Sequence, residues 1–240
     1  MQSGNPTLSD KMFRDVQRTS SDDVMSAKGS YNKTAILFAL CLGGASFTWS
    51  SEGMNYAMIG LIAGLILAMV TIFKKEWAMF TAPLYAICEG VALGGISFMY
   101  QAQYPGIVMN AILLTFAVMA LMLFVYTNKI IKVTDKLQKG IMVATGAIML
   151  VYLVGFIMSF FGTGIPMIHS AGPIGIGFSL VVVGIASFNL LLDFDFIEKL
   201  SSTRSAPKYM EWFAAFGLMV TLVWLYLEIL RLLSKLNDRR

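Results

Sequence analysis

Read from the amino terminus, the chain opens on a polar stretch and then alternates long apolar runs with short polar connections. The apolar runs lie at about 35–50, 54–73, 77–100, 106–126, 141–161, 173–197 and 209–233. A helix needs about 20 residues, in a range of roughly 17–25, to cross the hydrocarbon core of a bilayer. Six runs meet that length outright. The first is short unless Tyr31 to Thr34 extend it, with Lys33 snorkelling to the interface. A soluble all-helical core does not fit, because runs this long with so little charge leave no polar face. The pattern predicts an all-α integral membrane protein. A polar cytoplasmic head spans 1–34, and a single seven-helix membrane domain spans 35–240.

Within the head, Leu8, Met12, Phe13 and Val16 recur at helical spacing behind Thr7 and Ser9, which predicts a short amphipathic helix at the membrane surface. A disordered tail is the alternative. No apolar core follows a short basic start, so no signal peptide is expected. Gly60-x-x-x-Gly64 and Gly90-x-x-x-Gly94 allow close helix contact. Pro83 should kink its helix or open backbone carbonyls one turn before Glu89.

Composition agrees with lipid as the main solvent. Hydrophobic residues make up 57% and charged residues 13%, against about 25% charged in an ordinary soluble domain. Cys41 and Cys88, both inside apolar runs, exclude a disulfide framework. His169, the one histidine, excludes a His-clustered metal site and reads as a loop residue between Gly- and Pro-containing segments. The net charge of +4 reflects orientation rather than nucleic-acid binding. Of the 18 Lys and Arg, 14 lie in the head and in the connections after segments 2, 4 and 6, and none after segments 1, 3 and 5. That places the amino terminus in the cytoplasm. Arg231, Lys235, Arg239 and Arg240 then fall outside if segment 7 crosses. Segment 7 is expected to cross nonetheless, the alternative being a re-entrant segment.

Acids inside spanning helices carry the functional signal, since a central Asp costs about 2.5–3.5 kcal/mol to insert. Glu89 is the thirteenth residue of the run 77–100, near the midplane, with no Lys or Arg within a turn. It is read as a functional carboxyl, or as a protonated Glu bonded to a neighbouring helix. Asp193 shares a face with Asn189. Asp195 lies about 200° further round and shares its face with Glu198. A solvated helix end beside Lys199 is the plainer reading of Glu198 and Asp195. Glu211 opens segment 7, where it complements a helix N-terminus, and Glu228 is expected to pair with Arg231. At 1.5 Å per residue, Glu89 and Asp193 differ by roughly 10–15 Å in depth, as successive stations on one pathway.

Enzyme readings fail on placement. Asp193 and Asp195 lie on one helix, not on two facing ones. A Ser–His pair has only His169, and the last segment has no mid-membrane Lys. No catalytic residues are expected.

Four stretches, spread over nearly the whole chain, carry a family resemblance. They are Asn5-Pro6-x-Leu8 with Phe13, Pro83-Leu-Tyr85-Ala-Ile-Cys-Glu89-Gly90-Val-Ala-Leu-Gly94, Asn189-Leu-Leu-Leu-Asp193-Phe-Asp195-Phe-Ile-Glu198, and the run from Glu211-Trp212 through Gly217, Thr221, Trp224, Tyr226 and Glu228 to Arg231. Together they resemble the Bax inhibitor-1 (transmembrane Bax-inhibitor-motif) family, its bacterial branch in particular. The resemblance implies a seven-helix bundle with the last helix central, and a pH-sensitive calcium leak. It also implies two proton-sensing acids. Asp193 matches the one late in segment 6. The one in segment 7 falls near Thr221, which is not an acid, so Asp195, Glu211 or Glu89 would supply the second carboxylate. A latch Arg in segment 2 has no counterpart, since residues 54–73 hold no Arg or Lys.

The function expected on these grounds is a passive Ca²⁺ (cation) leak in the bacterial cytoplasmic membrane, gated by protonation of intramembrane carboxylates. Asp193, Asp195, Glu89, Asn189 and Glu211 are its candidate sensor or pathway residues. Asp193, Asp195 and Glu89 would offer Ca²⁺ a weak, releasable site. No tightly bound cofactor is expected. Lipid, Ca²⁺ and protons are the expected partners, and nucleic acid is not. The competing reading is a non-transporting regulator of membrane proteins, such as a partner of a membrane protease.

Overall fold

The computed structural model describes residues 24–50, 54–162, 170–203 and 206–239. The expected surface helix at Leu8 to Val16, the Asn5–Phe13 stretch and His169 lie outside these residues. Seven α-helices make up most of what is described: α1 (Ala27–Phe47), α2 (Met54–Phe73), α3 (Ala78–Gln103), α4 (Ile107–Thr127), α5 (Asp135–Phe160), α6 (Pro173–Ser202) and α7 (Met210–Asn237). A 3₁₀ turn, Lys75–Trp77, leads into α3. Helices α2 to α7 are each long and apolar enough to cross a membrane. The fold is the all-α membrane architecture that the apolar runs predict.

Helix α1 differs from expectation at its start. It begins at Ala27, so residues 27–34 of the polar head belong to the first helix. The Ser26 hydroxyl caps it, accepting from the Gly29 N–H at 3.0 Å. Lys28 stays on the exposed side. Lys33 pairs with Glu211 of α7.

Burial ranks the helices. In the most apolar window of α7, 83% of residues are buried within the protein, against 17% in α2 and in α5. The exposed faces of α2, α4 and α5 carry side chains such as Leu65, Ile66, Leu113, Phe124, Leu150 and Phe156, the surface that acyl chains require.

The described residues fall into two compact units. One takes in residues 24–105 and Asp195–Val220. Here α1, α2 and α3 pack backbone to backbone, as the glycine spacings predict. A Cβ on Gly60 would stand 2.7 Å from the Cys88 carbonyl oxygen, so Gly60 and Gly64 seat α2 on α3. A Cβ on Gly90 would overlap the Cys41 carbonyl and one on Gly94 the Thr48 hydroxyl, so this pair seats α3 on α1. Thr48 Oγ1 donates to the Val91 carbonyl at 2.9 Å, and Thr71 Oγ1 donates to Thr81 Oγ1 at 2.8 Å across the α2–α3 turn. Helix α3 runs unbroken through Pro83, whose missing N–H leaves the Met79 carbonyl without its helical donor. Tyr85 meets Phe216 edge-on at 4.9 Å.

The other unit takes in Gly106–Phe194 and residues 221–239. Its portions of α6 and α7 are antiparallel. Thr221 meets Asp193, and further along Lys235 reaches Ser179 and Gly175 near the start of α6. A re-entrant helix that turned back midway could not reach that point, so α7 retraces α6 almost to its first turn.

Candidate functional site

Asp193 is wholly buried in α6. Thr221 Oγ1 of α7 donates to its Oδ2 at 2.6 Å. Asn189, one turn back along α6, is also buried, but its amide turns to α5. Its Nδ2 donates to Thr145 Oγ1 at 2.8 Å and to the Ile185 carbonyl at 2.9 Å. The Asn189 Oδ1 atom is buried with no hydrogen-bond partner. Asp193 and Asn189 thus share a face, as their spacing predicts, while anchoring different neighbours.

Two turns along α7 from Thr221 stands Glu228, again buried. Its Oε1 accepts from Tyr152 Oη and from Arg231 Nη1, each at 2.8 Å. Arg231 Nη1 also donates to Tyr152 Oη at 2.8 Å, and the guanidinium lies 5.1 Å over the tyrosine ring. Glu228 Oε2 is buried and unpartnered. The expected Glu228–Arg231 pair is therefore present, with Tyr152 as a third member. Two turns further on, buried Lys235 donates to the Gly175 carbonyl at 3.0 Å and to Ser179 Oγ at 2.8 Å.

The remaining candidate acids belong to the other unit. Asp195 pairs with Lys199, one turn on. Glu211 is buried at the start of α7. Its Oε1 accepts from the Ser26 N–H and the Ser26 hydroxyl, each at 2.9 Å, and Lys208 stands 3.8 Å away. Its Oε2 takes the Lys33 ammonium, which also lies 5.5 Å over the Trp212 ring. A Cβ at Gly29 would overlap the Glu211 carboxylate. Glu211 therefore fastens α1 to α7 as well as complementing a helix start. Glu89 lies in α3 with Oε2 against Gly64, where a Cβ would stand 3.2 Å away. Among the described residues, no Lys or Arg pairs with Glu89. Nor do three or more His, Cys, Asp and Glu side chains gather among them as a set that could hold a metal ion.

The model of the family described as Bax inhibitor 1 like matches residues 5–238, nearly the whole chain. The chain belongs to the Bax inhibitor 1 like family. No curated protein matches it in sequence. In this Bax inhibitor 1 like protein, the Thr221 hydroxyl faces the buried Asp193.

Tyr152, Thr145, Lys235 and Ser179 were not among the residues expected from the sequence. One signal was available. Thr221, Glu228 and Lys235 recur every seventh residue on α7, and Thr145 and Tyr152 do so on α5. Seven residues are close to two turns, so each set falls on one line along its helix.

Proposed function

We propose that this membrane protein is a passive, pH-sensitive cation leak with Ca²⁺ as its permeant ion, controlled by the proton on Asp193. The observation that carries the reading is the Asp193 carboxylate, wholly buried in a spanning helix and bonded to α7 through Thr221. Ionised, a carboxylate only accepts hydrogen bonds; protonated, it also donates. The α6–α7 contact therefore has two hydrogen-bond patterns, and the proton selects between them. Carboxylate, hydroxyl and amide oxygens are also the hard ligands that Ca²⁺ favours. Membership of the Bax inhibitor 1 like family supports the reading. Ca²⁺ is cargo here, and no resident cofactor is invoked.

The proposed location is a bacterial cytoplasmic membrane with the amino terminus inside. Arg231 and Lys235 appeared to oppose that orientation. Both are bonded within the protein, so they are not loop charges, and the count rests on the connections.

The test is Ca²⁺ flux into proteoliposomes of purified protein as pH is varied. The parent should show flux that changes with pH, and Asp193→Asn should flatten that dependence. A parent that passes no Ca²⁺ at any pH sinks the leak and leaves the non-transporting regulator.

A further inference from the structure

Four lysines lie close together where α4 gives way to α5: Lys129, Lys132, Lys136 and Lys139, all of them exposed. Asp135 is the one acid in the sequence between Ile107 and Leu192. Among the described residues, no carboxylate pairs with any of the four lysines. Elsewhere in the chain, Lys199 and Lys208 do have carboxylates beside them. Orientation in the membrane needs only the count of positive charges. It does not require that four stand together without acids.

The surface that continues from these lysines is apolar. Lys136, Val143 and Leu150 recur every seventh residue on α5, close to two turns apart. All three are exposed, Val143 by 74% and Leu150 by 62%. A Cβ on Gly140 or Gly146 would meet nothing within 4 Å, so this face of α5 is uncovered. From Lys136 to Leu150 the line runs about 21 Å, and one leaflet with its headgroups is about 20–22 Å thick. Ile130, 61% exposed, adds apolar surface among the lysines. We propose that the α4–α5 connection and this line of α5 hold an anionic phospholipid, its phosphate among Lys129, Lys132, Lys136 and Lys139 and an acyl chain along Val143 and Leu150. Each ammonium supplies three N–H donors to the phosphate oxygens. A soluble acidic partner would match the cations but not the apolar line below them. The proposal is independent of what the protein conducts and of the proton on Asp193.

Native mass spectra of the purified full chain test this, with phosphatidylglycerol or phosphatidylcholine of the same acyl chains titrated in detergent. The parent should retain phosphatidylglycerol more tightly. A lysine near an anionic lipid surface is worth about a fivefold factor in binding, so Lys136→Gln with Lys139→Gln should weaken phosphatidylglycerol about 20-fold and leave phosphatidylcholine unchanged. Lys136→Arg with Lys139→Arg should keep the preference. Lys28→Gln with Lys74→Gln removes two exposed lysines from elsewhere and should leave both lipids as in the parent. Glycerol phosphate, which has the headgroup chemistry without the chains, should not displace phosphatidylglycerol at the same concentration. Equal retention of the two lipids by the parent would overturn the proposal. So would equal losses from the two double Gln variants, because charge would then act without a site. Displacement by glycerol phosphate would make this a place for a soluble phosphate and overturn the lipid.

Discussion

Thr221 Oγ1 and Asp193 Oδ2 stand 2.6 Å apart inside the protein, the hydroxyl donating and the carboxylate accepting. Replacing Thr221 with Val keeps the shape and removes the donor, so a buried acceptor loses a partner. The expected loss of stability is about 1–3 kcal/mol, with Thr221→Ser recovering most of it. Thermal unfolding in detergent reads the difference. A Val variant that melts with the parent would mean Asp193 does not depend on this hydroxyl.

The glycines of α1 and α3 give a matched pair. Gly90→Ala drives a methyl into the Cys41 backbone, whereas Gly43→Ala meets nothing within 4 Å. Overpacking of this kind costs about 1–3 kcal/mol. Gly90→Ala should therefore lower the melting temperature clearly, and Gly43→Ala should leave it unchanged or raise it slightly. Equal effects from the two would contradict the close approach of α1 and α3.

The Lys33–Glu211 pair predicts a local phenotype. Glu211 is 1% exposed and Lys33 16%, so removing the lysine leaves a buried carboxylate with the Ser26 bonds and Lys208 at 3.8 Å, at a cost of about 1–3 kcal/mol. Lys33→Met should loosen the start of α1 and expose the chain around Met25 to protease. The exchanged pair, Lys33→Glu with Glu211→Lys, should recover part of the protection. Digestion of Lys33→Met at the parent rate would show that the Ser26 bonds hold the junction without the lysine.

Single-cysteine labelling on a background lacking Cys41 and Cys88 tests the crossings. Cysteines at Gln103 and Asp238 should react from one side of the membrane and a cysteine at Lys129 from the other. Labelling of Asp238 from the Lys129 side would return α7 to a re-entrant form.

Apolar length alone placed α2 at its observed bounds, and the glycine spacings located the helix contacts that pass through them. Such features are local, since periodicity and the absence of side chains are properties of neighbouring residues. The start of α1 was not legible, because Lys33 looks like a head-group charge until its partner is known, and Glu211 lies far away in the chain. Asp193 and Asn189 were recognisable as a pair on one face, but which helix each would bind was not. Asp195 resembled Asp193 in sequence and differs from it in structure because Lys199 is one turn away. By position alone, Arg231 and Lys235 look like charges flanking the last span. Only the fold reveals that Tyr152, Gly175 and Ser179 receive them.

Helix α7 takes Glu228, Arg231 and Lys235 into the membrane, yet the groups that satisfy them lie largely on α5 and α6. Set in lipid without those partners, such charged side chains carry an insertion cost that grows towards the centre of a span, up to about 2.5–3.5 kcal/mol. Both partner helices precede α7 in the chain, so during synthesis they are in the bilayer before α7 leaves the ribosome. Biogenesis of the last span is then a docking event onto earlier spans rather than an independent partition into lipid. The same helix produced without α5 and α6 should stay at the membrane surface or be degraded.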